Sequence, residues 1–162
     1  MTQRRQLLPD EARLRMADLC SRAEHCRAEI EQRLIEHGIA AADRESILDF
    51  LCRNSFIDDR RFAESFARDK SRLNGWGKRK ISFELARRRV DSATIRLALE
   101  EIGDEEYFSK ACKAACAKAR SLDLSLYSDR MKLARFLYSR GYEPETTEAV
   151  IRQLRKEEGH DS

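Results

Sequence analysis

Ile30-x3-Leu34-x3-Gly38-Ile39 recurs as Ile81-x3-Leu85-x3-Arg89-Val90 and again as Leu133-x3-Leu137-x3-Gly141-Tyr142. A second apolar run follows each copy in the same register: Ile47, Leu48 and Leu51, then Ala98, Leu99 and Ile102, then Val150, Ile151 and Leu154. A fixed period of this kind, about fifty residues, marks a repeat architecture in which each unit completes its core against its neighbours. The predicted fold is all-α, an elongated tandem array of three three-helix repeats with about nine helices. Repeat one covers 1–54, a basic repeat two covers 55–103, and repeat three covers 104–162 with a short polar tail. No Pro-, Gly- or Ser-rich linker divides them, so one continuous solenoid-like rod is expected. Such arrays present an extended surface to a macromolecule more often than they enclose a small substrate.

Outward from these motifs, helical periodicity and helix punctuation run along nearly the whole chain, with no clear alternating β-branched run. Pro9 and Asp10 open a first helix to about Cys20, and Ser21-x-x-Glu24 reads as a capping box for a second that ends at His37 before Gly38. A third spans Ala41 to Arg53. Asp58 and Asp59 offer the N-cap of a fourth, which Asn74 and Gly75 end, and a fifth runs from Lys78 to about Arg88. Asp91 or Ser92 caps a sixth, Asp104 begins a seventh, an eighth covers Ser128 to Ser139, and Pro144 starts a ninth that frays from Glu157.

Charged residues make up 38% of the 162-residue chain, more than a compact globule usually carries. The balance of 32 basic against 29 acidic residues hides an asymmetry: from Arg53 to Arg96 there are 13 Lys and Arg against 6 Asp and Glu. A basic middle points to a polyanion or an acidic protein surface as partner. Five cysteines, an odd number, without an N-terminal apolar stretch argue for a reducing, cytoplasmic setting and against membrane insertion. Cys112 and Cys116 would share a helix face and His25 adjoins Cys26, but without a C-x2-C pair the cysteines read as small buried hydrophobes. No metal or other cofactor is expected, and the chain reads as a monomer.

Catalysis finds little support. His25, His37 and His160 fall near helix ends or in the tail, where histidine complements the dipole. Gly75-Trp76-Gly77-Lys78-Arg79 resembles the end of a phosphate-binding loop, but Arg72 and Arg79 occupy positions that need Gly and Ser or Thr. Asp58 and Asp59 suit helix capping better than a metal. The chain is read as not an enzyme. The strongest functional signal is the set of basic clusters in repeat two. The candidate filament- or DNA-binding residues, chosen on charge, are Arg60, Arg61, Arg72, Trp76, Lys78, Arg79, Lys80, Arg87, Arg88 and Arg89. A solvated face, with Arg87 to Arg89 complementing a helix C-terminus, is the alternative. Trp76 either stacks on a base or anchors a protein contact, or plugs the joint between repeats one and two.

Several of these stretches resemble the RecX family of bacterial recombinase regulators, from about Ser21 to Leu154. They are Ser21-Arg22-Ala23-Glu24, Glu29-Ile30 to Gly38, Phe56-Ile57-Asp58-Asp59-Arg60-Arg61-Phe62-Ala63, Gly77-Lys78-Arg79-Lys80-Ile81 with Glu84-Leu85, and Lys132-Leu133-Ala134-Arg135-Phe136-Leu137 to Arg140-Gly141-Tyr142. Arg89 departs from the pattern, standing where the family usually has the glycine that closes the fifth helix, which implies a different helix end there or an extra charge recruited for binding. The resemblance implies a regulator that binds the RecA filament on DNA and lowers its ATP hydrolysis, strand exchange and coprotease activity. Two other readings stand beside it: a general DNA-binding helical module, and a protein-interaction scaffold whose charge is only solvated.

Overall fold

A computed structural model describes residues 6–160, which form nine helices and no strand. They are α1 (Pro9–Arg22), α2 (Arg27–Glu36), α3 (Ala41–Arg53), α4 (Asp59–Asn74), α5 (Lys78–Arg87), α6 (Ser92–Glu100), α7 (Asp104–Ala119), α8 (Tyr127–Ser139) and α9 (Pro144–His160). Helices pack mainly within the triplets α1–α3, α4–α6 and α7–α9, giving the tandem array of three-helix repeats that the sequence periodicity implies.

The repeated motif closes the middle helix of each repeat in one way. The N–H of Ile39 donates to the Leu34 carbonyl at 3.1 Å, that of Val90 to Leu85 at 3.2 Å, and that of Tyr142 to Leu137 at 3.1 Å. One residue earlier, the N–H groups of Gly38, Arg89 and Gly141 donate to Ile35, Ala86 and Tyr138. This is the Schellman pattern, and it turns Ile39, Val90 and Tyr142 back into the core, where each is buried. The turn needs a left-handed residue, and φ is +74° at Gly38, +56° at Arg89 and +93° at Gly141. Arg89 therefore makes the same helix end as its glycine counterparts, at the steric cost of a Cβ in that region. Arg89→Gly is expected to raise stability by about 0.5–1 kcal/mol, the relieved strain exceeding glycine's backbone entropy and one exposed ion pair to Glu31. A urea midpoint that falls instead would show that the ion pair outweighs the strain.

Two helix ends differ from the sequence expectation. Ser21 and Glu24 form no capping box: α1 continues through Ser21, whose hydroxyl donates to the Asp18 carbonyl at 2.6 Å, and Glu24 instead accepts from Arg61. The N-terminus of α2, lacking a side-chain cap of its own, receives the Asp59 carboxylate, which accepts from the Arg27 N–H at 2.9 Å. Helix α9 continues to His160, through the segment from Glu157 expected to fray.

The core divides unequally. Repeat one has its own apolar cluster, around Ile30, Leu34, Ile47, Leu48 and Leu51. Repeats two and three share a second, continuous from Ile81 and Leu85 through Tyr107 and Tyr142 to Leu133, Leu137 and Val150. The Tyr107 and Tyr142 rings lie 5.4 Å apart at that junction. Between repeats one and two, the apolar contact is reinforced by ion pairs: Arg61 to Glu24 at 2.7 Å, Arg88 to Glu29 at 3.3 Å and Arg89 to Glu31 at 2.6 Å. No described helix is long and apolar enough to cross a membrane.

Candidate functional site

The turn between α4 and α5 is built by its glycines and held from repeat three. Gly75, in the left-handed region at φ +63°, ends α4. The Gly77 N–H donates to the Arg140 carbonyl at 2.7 Å, the Arg79 N–H to Gly141 at 3.0 Å, and the buried Tyr142 hydroxyl to the Gly75 carbonyl at 2.9 Å. The Tyr107 hydroxyl accepts from the Lys78 N–H at 2.9 Å and donates to a Glu143 carboxylate oxygen at 2.7 Å. Burial pushes the Tyr142 phenol up to about 12 and raises that of Tyr107 further, so both remain neutral donors. The turn carrying Trp76 thus locks the joint between repeats two and three, not the joint between one and two that the sequence suggested.

Trp76 is half-buried, edge-on to Phe66 with ring centres 6.2 Å apart. The Lys70 ammonium lies 4.8 Å from its ring centre and the Lys80 ammonium 4.4 Å. Lys70 also approaches Phe66 at 5.5 Å, and the Arg88 guanidinium approaches that ring at 5.0 Å. The result is an interleaved ladder of cations and rings, Arg88–Phe66–Lys70–Trp76–Lys80, with Lys78 over Tyr107 at 4.9 Å beside it. Ring faces attract cations through their quadrupole and hold these long side chains in place without neutralising them.

Apart from Trp76, the candidate residues separate into two groups. Six arginines are paired with glutamates: Arg60 with Glu64, Arg61 with Glu24, Arg72 with Glu106, Arg87 with Glu84, Arg88 with Glu29 and Glu84, and Arg89 with Glu31. Arg72 binds both Glu106 oxygens, at 2.8 and 3.2 Å, and ties repeat two to three. The Arg88 hydrogen bond draws the Glu84 carboxyl below its usual range, so this pair persists at neutral pH and is lost only as pH falls through that lowered value. By contrast Lys78, Arg79 and Lys80 have no carboxylate partner among the described residues. They occupy the first turn of α5, where the helix dipole disfavours cations and no acidic residue offsets them. Lys70, which belongs to the basic clusters of repeat two but stands outside the candidate residues, shares their state, and Phe66 joins it. Their signal was the i, i+4 spacing of Phe66 and Lys70 on the α4 face leading to Trp76.

Other expectations resolve simply. Asp58 caps α4, accepting from the Arg61 N–H at 3.1 Å. His25 lies 3.3 Å from a Glu29 oxygen, and the side chain of His160 lies outside the described residues. No group of three or more potential metal-ligating side chains converges among the described residues. Cys20 and Cys26 are buried as expected, but Cys52 and Cys112 are half-buried and Cys116 is exposed. Burial pushes the Cys20 and Cys26 thiols up to about 11, leaving almost no thiolate at neutral pH. A thiol reagent at pH 7 is expected to label Cys116 first, and Cys20 and Cys26 only on unfolding; equal rates would contradict this burial.

Comparison with known proteins adds the following. Sequence models of the second and third three-helix domains of RecX match residues 58–99 and 104–151. The "Regulatory protein RecX" of Vibrio parahaemolyticus is 32% identical over 142 residues, 88% of this chain and 90% of that one. That of Neisseria gonorrhoeae is 27% identical over 93% of this chain and 95% of its own. The crystal structure of RecX from Lactobacillus salivarius superposes with a TM-score of 0.80 at 20% identity, over 90% of this chain and 96% of that one, a likeness of fold.

Proposed function

We infer a function from one premise, that this chain belongs to the RecX family of regulatory proteins. It is a non-enzymatic regulator that binds the RecA–DNA filament and inhibits the filament's ATP hydrolysis, strand exchange and coprotease activity. The observation that carries the reading is the grouping of Lys70, Lys78, Arg79 and Lys80 around the aromatic Trp76 turn, four neighbouring cations without carboxylate partners among the described residues. Where six arginines of the middle repeat pair with glutamates, the group of uncompensated cations beside them is the part available to meet phosphates.

The geometry suits a filament better than a small ligand. Repeats two and three are locked by shared core and backbone hydrogen bonds, giving a stiff unit with the cations at its joint. Protein and phosphate lie side by side along a nucleoprotein filament, and a rigid helical array can contact both. The test is cosedimentation with RecA assembled on single-stranded DNA at low salt. Association is expected, falling steeply as salt rises; no association at low salt would overturn the proposal.

A further inference from the structure

We propose that Phe83 is a base-stacking residue, and that the solvent face of α5 binds single-stranded nucleic acid through Arg79 and Phe83. This rests on the reading of the middle repeat as a phosphate-contacting surface and adds a residue that charge alone does not reveal. Successive residues of a helix turn by about 100°, which puts Phe83 about 200° from both Ile81 and Leu85, the buried residues of α5. A large apolar side chain therefore occupies the centre of the outer face of an amphipathic helix, 62% exposed, where a polar residue is the rule.

Isolated exposed apolar residues are ordinary on protein surfaces. Phe83 differs in its surroundings. Arg79 and Arg87 stand one turn before and after it on the same stripe, about 6 Å along the axis in each direction. The Arg87 guanidinium lies 6.0 Å from the ring centre. Arg79 has no carboxylate partner among the described residues, and Lys78 and Ser82 border the shallow groove that Phe83 forms with Leu99. Glu84, next to Phe83 in sequence, pairs with Arg87 and Arg88, and Glu143, which lines the groove, accepts from Tyr107.

The chemistry selects among occupants. A ring beside an uncompensated cation matches a base beside its phosphate, the combination by which single strands are held without sequence preference. Trp76, the aromatic residue the sequence suggested for stacking, is unsuited because Lys70 and Lys80 approach its ring and Phe66 covers its edge. The Phe83 ring remains largely open to solvent.

The test is fluorescence anisotropy with labelled oligo(dT) at low salt, on the full chain and on Phe83→Ala, Phe83→Trp and Arg79→Gln. Because Phe83 is exposed, Phe83→Ala is expected to fold normally, as circular dichroism would verify. It should weaken binding by roughly tenfold to a hundredfold with the salt slope unchanged, since stacking releases no counterions. Phe83→Trp should retain binding and show tryptophan quenching on addition of the strand. Arg79→Gln should flatten the slope by about 0.7, one single-strand phosphate contact. Unchanged oligo(dT) affinity in Phe83→Ala would overturn the inference. If the same variant then lost association with the RecA filament, Phe83 would be a protein anchor, and the proposed function would stand without it. No oligo(dT) binding by the full chain would also overturn the inference, leaving filament association to be judged by cosedimentation alone.

Discussion

Gly77→Ala is expected to destabilise the protein by about 3 kcal/mol and to lower its melting temperature by roughly 6–12 °C. Gly77 is in ordinary extended conformation at φ −77°, so the effect does not come from backbone strain. A Cβ there would overlap the carbonyl carbon of Gly141 and the amide nitrogen of Tyr142, both backbone atoms. Neither side can withdraw easily, because the Gly77 N–H is bonded to the Arg140 carbonyl and the Tyr142 hydroxyl to the Gly75 carbonyl across the same joint. Relief requires repeats two and three to separate where their shared core is continuous. Gly75→Ala is the control: an added Cβ meets nothing within 4 Å, so only left-handed strain of about 1 kcal/mol remains. Equal melting temperatures for the two variants would contradict the close approach at Gly77.

Neutralising Lys70, Lys78, Arg79 and Lys80 together to Gln is expected to weaken association with the RecA–DNA filament by about a hundredfold to a thousandfold near 0.1 M salt. The logarithmic salt slope should fall by about three, four single-strand phosphate contacts at about 0.7 each. The fold should be little affected, since these side chains are at least partly exposed and none is ion-paired. The matched comparison is Arg60, Arg61 and Arg72 changed to Gln. These are neutralised by Glu64, Glu24 and Glu106, so their loss should alter the slope little and act on the joints at Arg61 and Arg72 and along α4 at Arg60. If both sets flattened the slope equally, the division between structural and phosphate-facing cations would be wrong. Salt titration of filament association measures this directly.

The architecture was legible because a helix stripe and its terminator repeat three times; burial of Ile30, Leu34, Ile81, Leu85, Leu133 and Leu137 follows from that periodicity. Most helix boundaries followed from capping chemistry, as at Asp58, Asp91 and Pro144. Ser21-x-x-Glu24 misled because a capping box is a local signal, whereas the group that serves α2 is Asp59, 32 residues away. The candidate residues mix paired with unpaired cations for the same reason. A charge count along the chain cannot see that Glu29, 59 residues before Arg88, sits beside it. Six arginines that looked alike with the lysines in sequence are therefore held at joints or along helices. Phe83 is legible as an apolar residue opposite the core stripe of α5, but carrying no charge it is not marked by the basic pattern.

The most direct test of the account is the rate of ATP hydrolysis by RecA on single-stranded DNA, titrated with this protein from substoichiometric to equimolar ratios. The account predicts inhibition by the full chain, relieved in the four-cation variant and retained when Arg60, Arg61 and Arg72 are neutralised. An unchanged rate at excess protein, with DNA binding intact, would contradict it and reduce the chain to a general DNA-binding helical module.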